Sequence, residues 1–226
     1  MTAKLLLLAA FVVSMLLMSF NYGKRRNKIV FFGDSITEFG VRFKGYISLL
    51  RRLIKQDGEE EKYELTGAGV GGDTIQDCLL RVDKDVLSKG ADMVVVFIGV
   101  NDAWNLQRTI VTDTKRFEDL YIALIEKLKI AECKIVLCTP AVIGEQKDYS
   151  AFDEYLDKYS EIIRQLAEIN GFPLVDLRTA FLNYNLENNI YNDQEGILTI
   201  DGVHLDDRGN QLVAEEMWKV IKDVKL

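Results

Sequence analysis

Five short apolar runs rich in β-branched residues recur along this chain, at 29–32, 63–66, 93–98, 134–138 and 173–175, with longer stretches between them. Each run is too brief and too evenly apolar to be one face of a surface helix, so each reads as a strand buried on both sides. The stretches between carry apolar residues at helical spacing: Ile47, Leu50 and Ile54; then Ile75, Leu79, Leu80, Val82, Val86 and Leu87. Phe117, Leu120, Tyr121, Leu124 and Leu128 mark a third, and Tyr155, Tyr159, Ile162, Ile163 and Leu166 a fourth. A last stripe, Leu212, Val213, Met217, Val220 and Ile221, follows the capping acids Asp206 and Asp207. Strands joined through helices need crossovers, which make them parallel, and a parallel sheet needs cover on both faces. The expected fold is α/β: a three-layer α/β/α sandwich with a five-stranded parallel sheet. It fills one domain over residues 28–226, since no Pro/Gly/Ser-rich linker or internal repeat divides them.

An open parallel sheet gathers its functional groups beyond the carboxyl ends of its strands. Four polar or glycine-rich signatures fall on that edge. Gly33-Asp34-Ser35-Ile36 follows the first strand, Gly69-Val70-Gly71-Gly72-Asp73-Thr74 the second and Gly99-Val100-Asn101-Asp102 the third, while Asp201-Gly202-Val203-His204 precedes the last helix. Each alone has a plain structural explanation: a capping serine, a glycine turn, an Asn closing a loop, an Asp-Gly turn. Their shared edge is what points to chemistry.

His204 is the only histidine in the chain. Imidazole exchanges a proton near neutral pH without a perturbed pKa, so histidine-based proton transfer here has one candidate. Asp201, three residues earlier, can bond one ring nitrogen and leave the other to take a proton from a hydroxyl. Ser35 offers that hydroxyl at the turn after a buried strand. Acyl transfer also needs donors aimed at the developing oxyanion. The backbone N–H groups of Ser35 and Gly72 and the side-chain amide of Asn101 are the candidates, with Asp102 read as holding its loop.

These blocks resemble those of the SGNH hydrolases, or GDSL-type esterases and lipases, whose Ser, Gly, Asn and His fall here on Ser35, Gly72, Asn101 and His204. Order and spacing match from residue 29 to about 222. The resemblance implies a flavodoxin-like sandwich and cofactor-free hydrolysis of carboxylic esters through an acyl-serine, with Asp201 completing a Ser-His-Asp triad. Two positions depart from the pattern: Ile36 stands where the first block ends in Leu, and Gly67 where many relatives carry Asn. The substrates implied are small-molecule esters, acetyl or short-chain acyl, of carbohydrates or lipids. Lysophospholipids and thioesters are alternatives within the same family. Trp104 and Ile143 are candidate residues of the substrate pocket.

Other readings fit less well. Gly67-Ala68-Gly69-Val70-Gly71-Gly72 also satisfies G-x-G-x-x-G between a strand and a helix, the context of a dinucleotide site. The acid that should end the next strand is missing, because that strand closes Phe97-Ile98-Gly99. No Gly-x-Ser-x-Gly elbow occurs, which argues against the α/β-hydrolase fold. One histidine with scattered carboxylates gives no zinc-ligand cluster, so no metal is expected. The competing reading from another class is a catalytically silent ligand-binding module on the same fold.

Residues 1–27 read as a signal peptide or membrane anchor. They hold Lys4, an apolar run over 5–20 and then Lys24, Arg25 and Arg26, with no acid. That run falls between the ~7–15 residues of a signal core and the ~20 of a membrane span. The expected location is extracytoplasmic, secreted or anchored, with this segment touching membrane; the cations after the run support a cytoplasm-facing anchor as the alternative. All 35 acids lie beyond it, so the domain is strongly anionic and nucleic acid is not an expected partner. Cys78, Cys133 and Cys138 are odd in number, lack metal-like spacing and read as small buried hydrophobes.

Overall fold

The computed structural model describes residues 25–105 and 113–226, so the apolar run at 5–20 lies outside the described residues. Strands β1 (Asn27–Gly33), β2 (Tyr63–Gly69), β3 (Met93–Phe97), β4 (Lys134–Cys138) and β5 (Leu174–Val175) form one parallel sheet in the order β2-β1-β3-β4-β5. The register brings Gly33 level with Gly69 on one side and with Phe97 on the other, and Phe97 level with Cys138. The carboxyl ends of four strands therefore finish together. Every residue of β3 is buried, as expected of a central parallel strand with helices on both faces.

The helices are α1 (Ser35–Gly40), α2 (Tyr46–Gln56), α3 (Ile75–Asp85), α4 (Val100–Trp104), α5 (Thr114–Ile130), α6 (Ala151–Asn170), α7 (Leu177–Asn188) and α8 (Asp207–Ile221). Helix α2 packs against α8 in one outer layer, and α5 packs against α3 and α6 in the other. Their buried faces are the apolar stripes of the sequence: Ile47, Leu50 and Ile54 in α2, and Val213, Met217 and Ile221 in α8. Leu80 departs from its stripe and is exposed, because α3 buries Ile75, Cys78 and Val82 instead. Asp206 caps α8 by accepting the Arg208 and Gly209 N–H groups, while Asp207 lies in the first turn.

The glycine run after the second apolar segment has a packing role. Strand β2 extends to Gly69, so Gly67, Ala68 and Gly69 lie within the sheet. A Cβ at Gly67 would sit 2.4 Å from a Val41 methyl, and one at Gly69 would sit 2.1 Å from the Glu38 backbone nitrogen. These glycines let α1 lie directly on the end of β2. A G-x-G-x-x-G match arises from that contact.

Candidate active site

The site grows from the turn after β1. Asp34 is the N-cap of α1, its Oδ1 accepting the Ile36 N–H at 2.9 Å. Ser35 is the first helical residue, so its hydroxyl is not spent on capping. A Cβ at Gly33 would come within 2.0 Å of the Phe97 carbonyl oxygen, so the strand end tolerates only glycine there.

The second part comes from the turn before α8. Thr199 and Leu205 form an isolated antiparallel bridge, and Gly202 takes a φ of +82° that suits glycine. Within that turn Asp201 Oδ1 accepts the Val203 and His204 backbone N–H groups at 3.0 and 2.7 Å. Asp201 Oδ2 lies 2.7 Å from His204 Nδ1. A carboxylate can only accept, so Nδ1 carries the proton and Nε2 is left with a lone pair. Ser35 Oγ sits 3.0 Å from that Nε2, within reach for O–H donation. Desolvation alone would raise the Asp201 pKa, but hydrogen bonds from the His204 ring and from the His204 and Val203 N–H groups outweigh it. The carboxyl is held below its usual range.

The loops after β2 and β3 close the site. Gly72 adopts a φ of +84°, a conformation that favours glycine. Asn101 donates one amide N–H to the Asp73 carbonyl at 2.9 Å, which fixes the side chain and leaves its second N–H uncommitted by that bond. Asp102 is fully buried and its Oδ2 accepts the Ile75 N–H at 3.1 Å, tying the start of α3 to α4. Next to Ser35, Asp34 is 2% exposed; burial pushes its pKa up to about 7 despite the Ile36 hydrogen bond, with a smaller upward contribution from Asp102.

Ser35, Gly72, Asn101, Asp201 and His204 line a single cleft of about 440 Å³, together with Trp104. Ile143 is placed differently: it is 6% exposed and lines an adjoining pocket, which Trp104 also borders. Two residues near the site escaped sequence reasoning. Phe39, one helical turn after Ser35, packs its ring 5.2 Å from the imidazole, and the Arg42 guanidinium lies 3.8 Å from the Phe39 centroid. Arg81 donates to the Gly33 carbonyl at 2.7 Å, the Ala68 carbonyl at 2.9 Å and the Asp73 carboxylate at 2.5 Å, joining the ends of β1 and β2 to the Gly72 loop. Spacing four residues from Ser35 on one helix was the only signal for Phe39. Nothing in the sequence distinguished Arg81 from a solvated arginine.

Among the described residues no group of three or more His, Cys, Asp or Glu is placed to hold a metal ion. Cys78 and Cys138 are buried and Cys133 is half-buried, all as free thiols. Burial pushes the Cys78 and Cys138 thiols well up, which makes them unreactive. Among the described residues, no helix is long and apolar enough to cross a membrane.

Comparison with known proteins identifies the family. The model of the GDSL-like Lipase/Acylhydrolase family matches residues 31–212. The crystal structure of the acetyl xylan esterase AlAXEase is 50% identical, with a TM-score of 0.82 over 85% of this chain and 98% of that one. An acetylxylan esterase of Geobacillus stearothermophilus is 28% identical over 171 residues, 68% of this chain and 77% of the relative. An uncharacterized lipoprotein of Bacillus subtilis (strain 168) is 25% identical over 222 residues, 85% of this chain and 88% of the relative. The chain belongs to the GDSL-like lipase/acylhydrolase family, the SGNH hydrolases, and is an enzyme that hydrolyses carboxylic ester bonds.

Proposed function

We propose that this enzyme is a serine esterase that removes acetyl groups from acetylated carbohydrate of the xylan type. The observation that carries the mechanism is the hydrogen-bonded row from Asp201 through His204 to Ser35, at 2.7 and 3.0 Å. Ser35 Oγ attacks the ester carbonyl carbon as its proton passes to His204 Nε2, and Asp201 balances the imidazolium. The carbonyl oxygen, now an oxyanion, receives the Ser35 and Gly72 N–H groups and the second amide N–H of Asn101. Collapse breaks the bond to the sugar oxygen, which leaves with the proton from Nε2. Water then attacks the acyl-serine by the same proton path, and the carboxylic acid is released.

The acetyl preference rests on the cleft wall and on the relatives. Among the described residues, the apolar side chains lining it are Val100, Trp104 and Val203. Each methylene of a long acyl chain gains about 0.8 kcal/mol only where it is buried, and this wall offers little burial for one. Two relatives bear the name acetylxylan esterase, which supports the carbohydrate leaving group. The lipoprotein relative supports an extracytoplasmic location.

Two measurements test the reading. A fluorophosphonate should label the folded protein and fail to label Ser35→Ala; labelling that survives the substitution refutes the nucleophile. A series of p-nitrophenyl esters should show turnover falling steeply beyond the shortest acyl groups, and acetylated xylooligosaccharides should release acetate. A preference for long acyl chains would point to a lipid ester instead.

A further inference from the structure

We propose that the catalytic cleft is one end of a trough that binds the neighbouring sugar rings of an oligosaccharide, with its next subsite between Trp104 and Gln146 and a further one at Tyr149 and Asn185. The proposal rests on the carbohydrate reading of the substrate. Three cavities adjoin in sequence. The cleft around Ser35 shares Trp104, Asp201 and Val203 with a second pocket, and that pocket shares Gly144, Gln146, Asp148 and Asp153 with a third. A chain entering the catalytic cleft therefore has a continuous path away from it.

The linings suit sugar rings. Trp104 is 38% exposed and stacks on Phe152 with centroids 5.5 Å apart and the rings within 9° of parallel, so its orientation is fixed. A fixed aromatic ring is a platform for the C–H face of a pyranose, and the exposed amides of Gln146 and Gln194 on the same pocket each offer donors and acceptors to hydroxyls. The volume, about 240 Å³, lies just under the roughly 300 Å³ at which sites for drug-sized ligands begin, which suits one ring.

The third pocket, about 180 Å³, supplies an independent sign of a ligand. Asn185 lines it at 5% exposure, and its Oδ1 is buried without a hydrogen-bond partner among the described residues. A buried acceptor left unsatisfied is unfavourable, and a sugar hydroxyl in this pocket would satisfy it once the amide turns toward the opening. Tyr149, 69% exposed, stands at the same pocket with its hydroxyl donating to Asp157 at 3.0 Å. Two cations line it, Arg178 and the exposed Lys147; Arg178 bonds Asp153 and Asp157 at 2.7 and 2.8 Å. Across the second and third pockets Asp148, Asp153, Asp157 and Asp201 outnumber Lys147 and Arg178, so the trough is anionic on balance and disfavours phosphate head groups and fatty carboxylates while accepting a neutral polyol.

The test is fluorescence titration of the full-length protein with unacetylated β-1,4-xylooligosaccharides of increasing length, beside p-nitrophenyl acetate turnover. The chain has two tryptophans, and the other, Trp218, is 7% exposed and bonded to Asp57, so Trp104 is the reporter. A saturable emission change is expected, with affinity rising from disaccharide to tetrasaccharide. Gln146→Ala and Tyr149→Ala, both at exposed positions, should weaken tetrasaccharide binding about tenfold. No saturable change, affinity indifferent to chain length, or variants that bind like wild type would overturn the trough. Ester turnover without sugar binding overturns the trough and leaves the esterase standing; sugar binding without turnover or fluorophosphonate labelling does the reverse.

Discussion

Asn101 and Asp34 carry the sharpest predictions at the scale of single residues. The amide of Asn101 is fixed by the Asp73 carbonyl, so in the proposed mechanism its remaining N–H is held in place before an oxyanion forms. Asn101→Ala should lower kcat about 10²–10³-fold with little change in KM, and an unchanged kcat would rule the amide out as a donor. Asp34 tests the cost of a carboxyl buried behind Ser35. Its folded pKa of about 7 lies above the 3.8 of an ordinary aspartate. Below about pH 4 both states are protonated and the folded state keeps its full advantage from this group. Between about 4 and about 7 the unfolded chain releases a proton that the folded chain retains, so the advantage is lost as pH rises. Asp34→Asn keeps an oxygen for the Ile36 N–H and removes the titration. Its melting temperature relative to wild type should therefore climb from pH 5 to pH 8; a constant difference would show that Asp34 ionises normally.

At the scale of elements, α8 begins three residues after His204, so its start and the proposed base share one piece of backbone. Asp206 accepts the Arg208 and Gly209 N–H groups, both at 2.8 Å. Asp206→Ala should cost about 1 kcal/mol in urea denaturation, and a loss near zero would mean that water replaces the cap without penalty. The same scale explains what the sequence made legible. Helices α2, α3, α5, α6 and α8 bury apolar stripes, and stripes are what periodicity detects. Helix α7 buries Arg178 and Asn185 beside Leu177 and Phe181, so its inner face is half polar and it went unread. Helices α1 and α4 are too short to repeat a pattern. Ser35 and His204 stood out in the sequence as candidates because few side chains can do the proposed chemistry. Phe39 and Arg81 act by packing and by bonding backbone, roles that many residue types could fill, and only the fold reveals them.

Across the whole molecule, the weakest-looking part of the site is anchored from the opposite end of the sheet. Residues 189–202, which lead into the Asp201 turn, hold no helix or strand beyond the isolated bridge at Thr199. They are docked on the loop after β4. Glu145 there is 1% exposed, and its carboxylate accepts the Ile197 and Leu198 N–H groups at 2.8 and 2.6 Å. Its backbone is engaged as well: its N–H donates to the Gln194 carbonyl at 2.9 Å, and its carbonyl accepts the Asn189 amide at 2.7 Å. One step earlier, the Gly144 N–H donates to the Gly202 carbonyl at 2.8 Å, inside the turn itself. The sheet thus holds Ser35 directly through β1 and holds Asp201 and His204 indirectly through this loop. Glu145→Gln preserves shape but turns one acceptor into a donor facing a backbone N–H. The loss should be about 1–3 kcal/mol of stability, with faster amide exchange at Ile197 and Leu198 and a lower kcat as the Asp201 turn loosens. If exchange at those two amides quickens while kcat holds, the turn is kept in place by its own hydrogen bonds and the dependence of the site on the β4 loop is refuted.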